Sequence, residues 1–306
     1  MYDVIIIGGG PAGLTAGLYT CRGGLKTLLF EKMFVGGQAA TTYMVENFPG
    51  FDEGISGPDL SMKMEAQARK FGIEILYEDV KELDLDGDIK KVVTDKGTYE
   101  AKALILCMGA NPRTLGLDKE DRFRGAGVSY CATCDGAFYR DREVAIVGGG
   151  DTAAEDAVYL SKFVKRVYLI HRRDELRATK ILQERVLNND RITPVWDSVV
   201  EEILGEDTVE GIRVKNVKSG ETKELKIDGL FIAIGLIPNT DLVKDKLQTS
   251  AGGYLITDEE MKTNIPGVFA AGDIRQKSLW QLVTAAADGA IAASSAAKYI
   301  DEHFDA

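Results

Sequence analysis

Near its start the chain reads Val4-Ile5-Ile6-Ile7-Gly8-Gly9-Gly10-Pro11-Ala12-Gly13, an apolar run that enters a glycine-rich turn. A short continuous apolar run is typical of a strand buried on both faces of a parallel sheet. Small residues from Leu14 to Arg22 predict a helix, and a second β-rich run follows at Thr27-Leu28-Leu29-Phe30. This order predicts a strand–helix–strand unit of the doubly wound kind.

The same order occurs a second time in the chain. Val144-Ala145-Ile146-Val147 enters the turn Gly148-Gly149-Gly150-Asp151-Thr152-Ala153. A helix is predicted from Ala154 to Phe163, and the next β-rich run is Val167-Tyr168-Leu169-Ile170. The repeat predicts an α/β protein with two Rossmann-like dinucleotide-binding domains, each built in three layers around a central parallel sheet.

A second pair of matching segments closes the two repeats. Residues 103–112 and 229–238 are apolar runs that end at a glycine and continue into a Pro-containing linker, which suits a crossover between domains. The remaining residues, 241–306, are too few for a third domain of this kind. We therefore predict a discontinuous first domain, residues 1–112 and 241–306, with the second domain, residues 113–240, inserted within it.

The composition excludes several classes of protein. Of the 306 residues, 45% are hydrophobic and 28% are charged, a balance that argues against disorder and against collagen-like repeats. The formal net charge of −11 would repel phosphate backbones and anionic lipids, so we expect neither nucleic acid nor membrane as a partner. No apolar run approaches the ~20 residues of a membrane span. Because no signal-peptide pattern opens the chain either, we expect a cytoplasmic protein.

The glycines of the first turn, Gly8-x-Gly10-x-x-Gly13, each have a task in binding a dinucleotide. The first allows a tight turn, the second lets a pyrophosphate approach the backbone, and the third lets the helix pack close to the strand. The helix N-terminus adds unpaired N–H groups and the positive end of its dipole. Glu31 ends the following strand, where a carboxylate accepts hydrogen bonds from ribose hydroxyls. A glycine-rich turn without a ligand remains the alternative.

The second turn, Gly148-x-Gly150-x-x-Ala153, has alanine at its third position, which the pattern allows. The strand after it ends in His171-Arg172-Arg173, followed by Arg177, where the first repeat has Glu31. Guanidinium groups bind a 2′-phosphate, whereas a carboxylate would repel it. The second site is therefore predicted to prefer NADPH over NADH. A solvated basic surface cluster is the alternative interpretation.

The segment Cys131-Ala132-Thr133-Cys134 is half of a zinc site, a redox disulfide, or a coincidence of spacing. Zinc needs about four ligands. The other cysteines, Cys21 and Cys107, are single and lie in the first domain, and the chain has only two histidines, His171 and His303. We therefore predict no metal site and interpret Cys21 and Cys107 as small buried apolar residues. A CxxC in a cytosolic protein of this class is typical of a cycling dithiol.

Asp135 directly follows the second cysteine. A carboxylate stabilises a neighbouring thiolate poorly, but it can donate or accept a proton. When two electrons open a disulfide, one sulfur leaves as a thiolate that needs a proton, and Asp135 is the nearest candidate. Cys131, Cys134 and Asp135 are thus the predicted catalytic residues. An ordinary turn carboxylate before Gly136 is the alternative for Asp135.

Five short motifs along the chain together resemble one family, the low-molecular-weight, bacterial-type thioredoxin reductases among the class II pyridine nucleotide-disulfide oxidoreductases. The resemblance covers essentially the whole chain. The motifs are Gly36-Gly37-Gln38, Val45-Glu46-Asn47-Phe48-Pro49-Gly50, Cys131-Ala132-Thr133-Cys134-Asp135-Gly136, His171-Arg172-Arg173-x-x-x-Arg177 and Gly272-Asp273-Ile274.

The resemblance implies a homodimer with FAD in the first domain and NADPH in the second. Hydride would pass from NADPH to FAD, and electrons would then pass to the Cys131–Cys134 disulfide. The dithiol would reduce thioredoxin by exchange, which is the activity of a thioredoxin-disulfide reductase (NADPH). By resemblance, Cys134 faces the flavin and Cys131 attacks the partner. The two Pro-containing crossovers, residues 109–116 and 235–241, are expected to act as hinges between the domains.

The resemblance also implies which residues bind the two cofactors. FAD would contact Gly8, Gly10, Pro11, Ala12, Gly13, Glu31, Gly37, Gln38, Asn47, Val80, Gly109, Gly272, Asp273, Gln281 and Leu282. NADPH would contact Gly148, Gly150, Asp151, Thr152, Ala153, His171, Arg172, Arg173, Arg177, Ile234 and Gly235.

The chain departs from the family at Trp280-Gln281, where Arg-Gln is usual. This substitution predicts an aromatic side chain near FAD, and core packing unrelated to FAD is the alternative. Two other classes of function stay open: a flavin electron-transferase without a thiol step, and a non-enzymatic dinucleotide sensor. The CxxC argues against both, because neither has a use for a dithiol.

Overall fold

The computed structural model describes residues 1–42 and 44–304. Contacts within the chain divide it into two compact units. Unit 1 comprises Met1–Asn111 and Ile237–Ala306, and unit 2 comprises Pro112–Leu236. No helix in the described part of the chain is long and apolar enough to cross a membrane.

Six helices and three short 3₁₀ turns connect the strands of the described structure. The helices are α1 (Pro11–Arg22), α2 (Gly57–Lys70), α3 (Ala132–Asp135), α4 (Asp151–Leu160), α5 (Lys180–Leu187) and α6 (Leu282–Phe304). The 3₁₀ turns span Gly37–Thr41, Gly136–Tyr139 and Gly272–Ile274.

The strands of the described residues fall into one large sheet in unit 1, two sheets in unit 2 and one small ribbon. They are β1 (Tyr2–Ile7), β2 (Thr27–Glu31), β3 (Glu74–Tyr77), β4 (Val80–Asp84), β5 (Lys90–Thr94), β6 (Thr98–Leu106), β7 (Ala110–Pro112), β8 (Val128–Ser129), β9 (Glu143–Val147), β10 (Arg166–Ile170), β11 (Ile192–Val195), β12 (Ser198–Leu204), β13 (Gly211–Asn216), β14 (Thr222–Lys226), β15 (Gly229–Ile232), β16 (Leu236–Pro238) and β17 (Val268–Ala270).

The sheet of unit 1 has the order β3-β2-β1-β6, and β17 also pairs with β6. These five strands are parallel, whereas β5 and β4 extend the sheet as an antiparallel hairpin. Alternate residues of β1 enter two different cores: Val4 and Ile6 pack with α1 and α6, while Ile5 and Ile7 pack on the opposite face. Burial on both faces explains the continuous apolar run.

Unit 2 repeats this plan with an all-parallel sheet of order β11-β10-β9-β15-β8. Val144 and Ile146 of β9 face the core that contains α4 and α5, and Ala145 faces the other core. The second core is covered by the antiparallel sheet β12-β13-β14. The predicted α/β class with parallel Rossmann-type sheets is confirmed.

The two crossovers between the units run side by side, because β7 and β16 pair as a two-stranded sheet. The N–H of Arg113 donates to the carbonyl oxygen of Gly235 at 2.9 Å, and the N–H of Asn239 donates to that of Gly109 at 3.0 Å. Gly109 and Gly235 both have positive φ angles, 64° and 104°, which glycine adopts at little cost. That these segments act as hinges stays a prediction.

Candidate active site

The first glycine turn has one position where a ligand can approach the backbone. A Cβ on Gly8 would collide with the carbonyl oxygen of Cys107, and one on Gly13 would collide with the carbonyl oxygen of Gly8. A Cβ on Gly10, in contrast, would meet nothing within 4 Å. Packing therefore explains the first and third glycines. The second leaves open space, as a bound pyrophosphate requires.

Glu31, at the end of β2, is held against this turn. Its Oε2 accepts from the N–H of Gly9 at 2.8 Å, and its Oε1 accepts from the N–H of Lys32 at 2.7 Å. Helix α1 begins with Pro11 after Gly10, and no side chain caps its N-terminus. The turn thus combines a fixed carboxylate with free helix N–H groups, a donor and acceptor set that fits a dinucleotide.

Several predicted FAD residues far apart in sequence meet at this turn. An added Cβ on Gly37 would lie 3.5 Å from Cα of Gly10, and one on Gly272 would lie 2.8 Å from Cβ of Ala12. Nδ2 of Asn47 donates to Oε1 of Gln281 at 3.0 Å. The tertiary structure therefore brings Gly37 and Gly272 to the first turn and pairs Asn47 with Gln281.

A chain of side-chain amides, which the sequence did not predict, continues from Gln38. Its Nε2 donates to Oδ1 of Asn111 at 2.9 Å, and Nδ2 of Asn111 donates to Oδ1 of Asn239 at 3.1 Å. Nδ2 of Asn239 then donates to the carbonyl oxygen of Met108 at 2.8 Å. The amide chain ties the predicted FAD residue Gln38 to both strands that leave unit 1.

A buried charge cluster supports Gly272 and Asp273, and it too was missed. Asp288 of α6 accepts from the N–H of Gly272 at 3.1 Å and from Nη1 of Arg275 at 3.2 Å. Nζ of Lys277 lies 3.2 Å from Asp288 and 3.1 Å from Asp273. Burial raises the pKa of the Asp273 carboxyl, and Lys277 partly offsets this. Pairing of the buried charges keeps their desolvation tolerable.

Trp280, the departure from the family, lies beside Tyr254 with ring centroids 5.4 Å apart. Its buried Nε1–H has no acceptor among the residues that the structure describes, which leaves a donor for a bound group. The remaining predicted FAD residues lie where β4 begins, after β6, and where α6 begins: Val80, Gly109 and Leu282.

The second glycine turn has an open position like that of the first. A Cβ on Gly148 would collide with the carbonyl oxygen of Ala233, whereas one on Gly150 would meet nothing within 4 Å. Helix α4 starts at Asp151 without a side-chain cap. Oδ1 of Asp151 instead accepts from the N–H of Thr179 at 2.7 Å. Thr152 and Ala153 follow in the first turn of α4.

The predicted basic cluster is available for a ligand. Arg172, Arg173 and Arg177 are exposed, and within residues 1–42 and 44–304 none of them forms an ion pair. Two neighbouring carboxylates are occupied instead, since Nζ of Lys218 lies 2.8 Å from Asp174 and 3.0 Å from Asp197. The cluster therefore presents uncompensated positive charge, which suits a phosphate.

His171 differs from its arginine neighbours because it is buried. Its ring packs under the turn, where a Cβ on Gly149 would collide with it. Burial and the positive charges of Arg177, Arg173 and Arg172 lower its pKa, so the imidazole is neutral at pH 7. The N–H of Arg177 donates to the carbonyl oxygen of Gly149 at 2.7 Å, which fixes the basic loop to the turn. Ile234 and Gly235 follow β15 in the same unit.

Asp156, on α4, is expected to make the stability of the protein depend on pH. Burial, and secondarily Glu155, raises the pKa of its carboxyl to about 7, against ~3.9 when unfolded. Stability from this group is present at low pH and is lost as pH rises from about 4 to about 7. Asp156→Asn is expected to stabilise the protein at pH 8 by about 2–4 kcal/mol and to change little at pH 4. Thermal unfolding at the two pH values checks this.

Glu155→Gln is the matched control for Asp156→Asn, because Glu155 is the exposed neighbour on the same helix. It should leave the melting temperature nearly unchanged at both pH values. An equal effect of Asp156→Asn at pH 4 and pH 8 would contradict burial of the ionised carboxylate as the cause.

The predicted redox cysteines form a disulfide, Cys131–Cys134, with Cα atoms 5.3 Å apart. Cys131 precedes α3, and the N–H of Cys134 donates to Sγ of Cys131 at 3.2 Å. Cys107 is buried as predicted, but Cys21 is only half-buried because it lies near the C-terminal end of α1. Across the described residues, no group of His, Cys, Asp and Glu could hold a metal ion.

Asp135 ends α3, next to the disulfide. Burial raises the pKa of its carboxyl, and a hydrogen bond from Ser129 acts in the opposite direction. That bond runs from Oγ of Ser129 to Oδ2 of Asp135 and is 2.6 Å long. A half-buried carboxyl with a raised pKa beside a disulfide suits proton transfer. Ser129 was not predicted, because it belongs to none of the motifs.

Known proteins resemble the chain over its full length. The family described as Pyridine nucleotide-disulphide oxidoreductase matches residues 2–290. Thioredoxin reductase of Peptoclostridium acidaminophilum is 49% identical over 311 residues, which cover 100% of this chain and 99% of the relative. Thioredoxin reductase of Bacillus subtilis is 47% identical over 304 residues, covering 99% and 96%.

A solved structure agrees with these relatives. The crystal structure of thioredoxin reductase from Streptococcus pyogenes is 48% identical, has a TM-score of 0.94 and covers 99% of each chain. The full coverage means that both glycine turns, the basic cluster and the CxxC lie within the matched region. The chain therefore belongs to the pyridine nucleotide-disulphide oxidoreductase family and, within it, to the thioredoxin reductases.

Proposed function

We propose that the chain is an NADPH-dependent flavoprotein disulfide reductase that reduces thioredoxin. The observation that carries the proposal is the disulfide Cys131–Cys134 in the unit that also holds the second glycine turn. A flavin electron-transferase or a dinucleotide sensor has no use for a dithiol beside a nucleotide turn. The membership of the chain among the thioredoxin reductases supports the same activity.

Each nucleotide has its own unit in this proposal. FAD binds unit 1, predicted as residues 1–112 and 241–306, because Glu31 accepts from ribose hydroxyls and the open space at Gly10 admits the pyrophosphate. NADPH binds unit 2, predicted as residues 113–240, because its turn is followed by exposed arginines instead of a carboxylate. Bound together, the two cofactors supply hydride transfer and two electrons for the disulfide.

The protein's own residues position these groups and manage the protons. In unit 1, polar side chains are provided by Gln38, Asn47, Asp273 and Gln281, and Asp288 holds Gly272 and Lys277 in place. In unit 2, the free N-terminus of α4 and the three exposed arginines hold the phosphates of NADPH.

The local geometry of the disulfide supports a division of labour between its two sulfurs. The N–H of Cys134 lies 3.2 Å from Sγ of Cys131 and 3.3 Å from the carbonyl oxygen of the same residue, and a backbone donor beside that sulfur stabilises a thiolate on it. Cys131 is therefore the nucleophile toward the disulfide of thioredoxin, and Cys134 faces the flavin. When the disulfide opens, Asp135 gives its proton to the thiolate of Cys134, and it later regains a proton from solvent.

The proposal includes a cytoplasmic homodimer whose protein substrate is thioredoxin, with neither nucleic acid nor membrane as partner. The net charge of −11 supports the last point, because it disfavours polyanions. The test is an NADPH-dependent reduction of oxidised thioredoxin by the purified yellow holoenzyme. Robust turnover is expected. A holoenzyme whose flavin is bleached by NADPH but that reduces no disulfide would overturn the proposal in favour of an electron-transferase.

A further inference from the structure

Ser129 lies between Asp135 and the redox loop, which comprises Cys131–Cys134. It ends β8 and is buried, with 3% of its surface exposed. Its Oγ lies 2.6 Å from Oδ2 of Asp135, 3.1 Å from the backbone nitrogen of Cys131 and 3.3 Å from the carbonyl oxygen of Cys131. One hydroxyl thus contacts the carboxyl group and both backbone groups of the first redox cysteine.

The hydrogens available for donation around Ser129 determine the direction of each hydrogen bond. A hydroxyl has one hydrogen to donate and two lone pairs to accept. The N–H of Cys131 can only donate, so it bonds to Oγ of Ser129 in every state. While Asp135 is ionised, the hydroxyl hydrogen bonds to its carboxylate, because a charge-assisted bond is stronger than one to the neutral carbonyl of Cys131.

Protonation of Asp135 reverses one of these bonds without leaving a buried group unpaired. The new O–H of Asp135 donates to the second lone pair of Ser129. The hydroxyl hydrogen of Ser129 then turns to the carbonyl oxygen of Cys131, which already lies 3.3 Å away. Both protonation states of Asp135 are therefore satisfied by a rotation of one hydroxyl, which removes the cost of an unpaired buried polar atom.

We propose that Ser129 is a positioning residue that acts through Asp135, holding the carboxyl at the redox loop and accommodating both of its protonation states by rotating its hydroxyl. The inference rests on the proposed function. In the step concerned, two electrons break the Cys131–Cys134 bond and form two thiolates. Asp135 transfers its proton to one of them and becomes a carboxylate. The other thiolate stays on Cys131 for attack on thioredoxin.

The ionisable groups on the elements around Asp135 must be known before a change in its titration can be assigned to Ser129. The 3₁₀ turn that follows contributes Tyr139, whose pKa is raised to about 12 by burial and by Asp135. Helix α4 packs against α3, and its titratable residues are Asp151, Glu155, Asp156 and Tyr159. Strand β15, which pairs with β8, carries no titratable side chain. Once reduced, the two redox cysteines are further ionisable neighbours.

The test is the pH dependence of kcat for thioredoxin reduction in Ser129→Ala holoenzyme. Asp135 acts as an acid, so kcat falls as pH rises through its pKa. Loss of the bond from Ser129 to the ionised carboxylate raises that pKa, so this fall is expected to move to higher pH. We also expect the low-pH plateau of kcat, where Asp135 is protonated in both proteins, to decrease about tenfold because the carboxyl has lost the hydrogen bond that positions it, with KM for thioredoxin unchanged.

Two further variants distinguish a positioning role of Ser129 from a purely structural one. Ser129→Thr keeps the hydroxyl and is expected to restore both kcat and the wild-type pH profile. In an Asp135→Asn background, Ser129→Ala should have no further effect on kcat, because Ser129 acts only through the carboxyl. Reduction of the flavin by NADPH, followed by absorbance, should be unchanged in every variant, which shows that the proteins are folded and loaded.

Asp156→Asn is the control for the assignment of the titration, since its carboxyl also has a raised pKa and lies on the helix packed against α3. It should leave the pH profile in place. An unmoved profile in Ser129→Ala, or additive losses with Asp135→Asn, would overturn the inference while leaving the proposed function intact. Absence of thioredoxin reduction by the wild-type holoenzyme would instead overturn the proposed function itself.

Discussion

Replacing either redox cysteine, by Cys131→Ser or Cys134→Ser, should lower thioredoxin reduction on the order of 10³-fold or more. The loss is this large because a hydroxyl at either position can neither form the disulfide nor replace a thiolate as nucleophile. Both variants should still bind FAD and reduce it with NADPH, because the two cysteines lie outside both glycine turns. Steady-state turnover with thioredoxin and anaerobic flavin bleaching measure the two properties separately.

Cys21→Ser is the matched control for these variants. Cys21 is a free cysteine on α1, and burial raises the pKa of its thiol, which keeps it unreactive at neutral pH. The control should retain full turnover. Substantial disulfide reduction by either Cys131→Ser or Cys134→Ser would show that electrons leave the flavin by another route.

The triple variant Arg172→Ala, Arg173→Ala, Arg177→Ala should lose its preference for NADPH. Charge-assisted hydrogen bonds contribute about 1.5–3 kcal/mol each, so each lost arginine should weaken apparent NADPH affinity ~10-fold or more. Use of NADH should hardly change, because NADH has no 2′-phosphate for these side chains to bind. The ratio of kcat/KM for NADPH to that for NADH measures the effect.

Arg166→Ala is the control for this variant, because Arg166 begins the strand β10 whose other end precedes the basic cluster. Because Arg166 lies at the opposite end of β10 from the basic cluster, its loss should not affect the ratio of kcat/KM for NADPH to that for NADH. If the triple variant kept the wild-type preference, or if Arg166→Ala lowered it equally, the arginines would not be the phosphate ligands.

The local patterns of the chain predicted its repeating architecture well. Each strand–turn–helix unit is formed by consecutive residues: an apolar run, a glycine turn and a helix of small residues. Both units could therefore be predicted from the sequence. The helix starts were predicted a few residues late: α1 begins at Pro11 and α4 at Asp151, inside the turns themselves. Proline at the first helical position fits the helix backbone, and in α4 Asp151 lies at a position that favours an acid.

The contacts that support the site could not be predicted in this way, because they join residues distant in sequence. The amide chain from Gln38 links Asn111 with Asn239, and the charge cluster links Asp288 with Lys277. None of these pairs has a spacing that marks it. The antiparallel strands β12 to β14 were also not predicted. Strand β13 alternates buried and charged residues, but a register shift between Val200 and Glu202 interrupts β12, and β14 has no buried residue that would mark it as a strand.

The electrons can be followed directly from NADPH to the two cysteines. Holoenzyme is mixed with NADPH without oxygen, quenched with an alkylating reagent and digested, and mass spectrometry measures the label at Cys131 and Cys134. We expect labelling of both residues only when FAD and NADPH are present, and little label when an excess of oxidised thioredoxin is added before the alkylating reagent. Flavin bleached by NADPH while both cysteines stay unlabelled would contradict it.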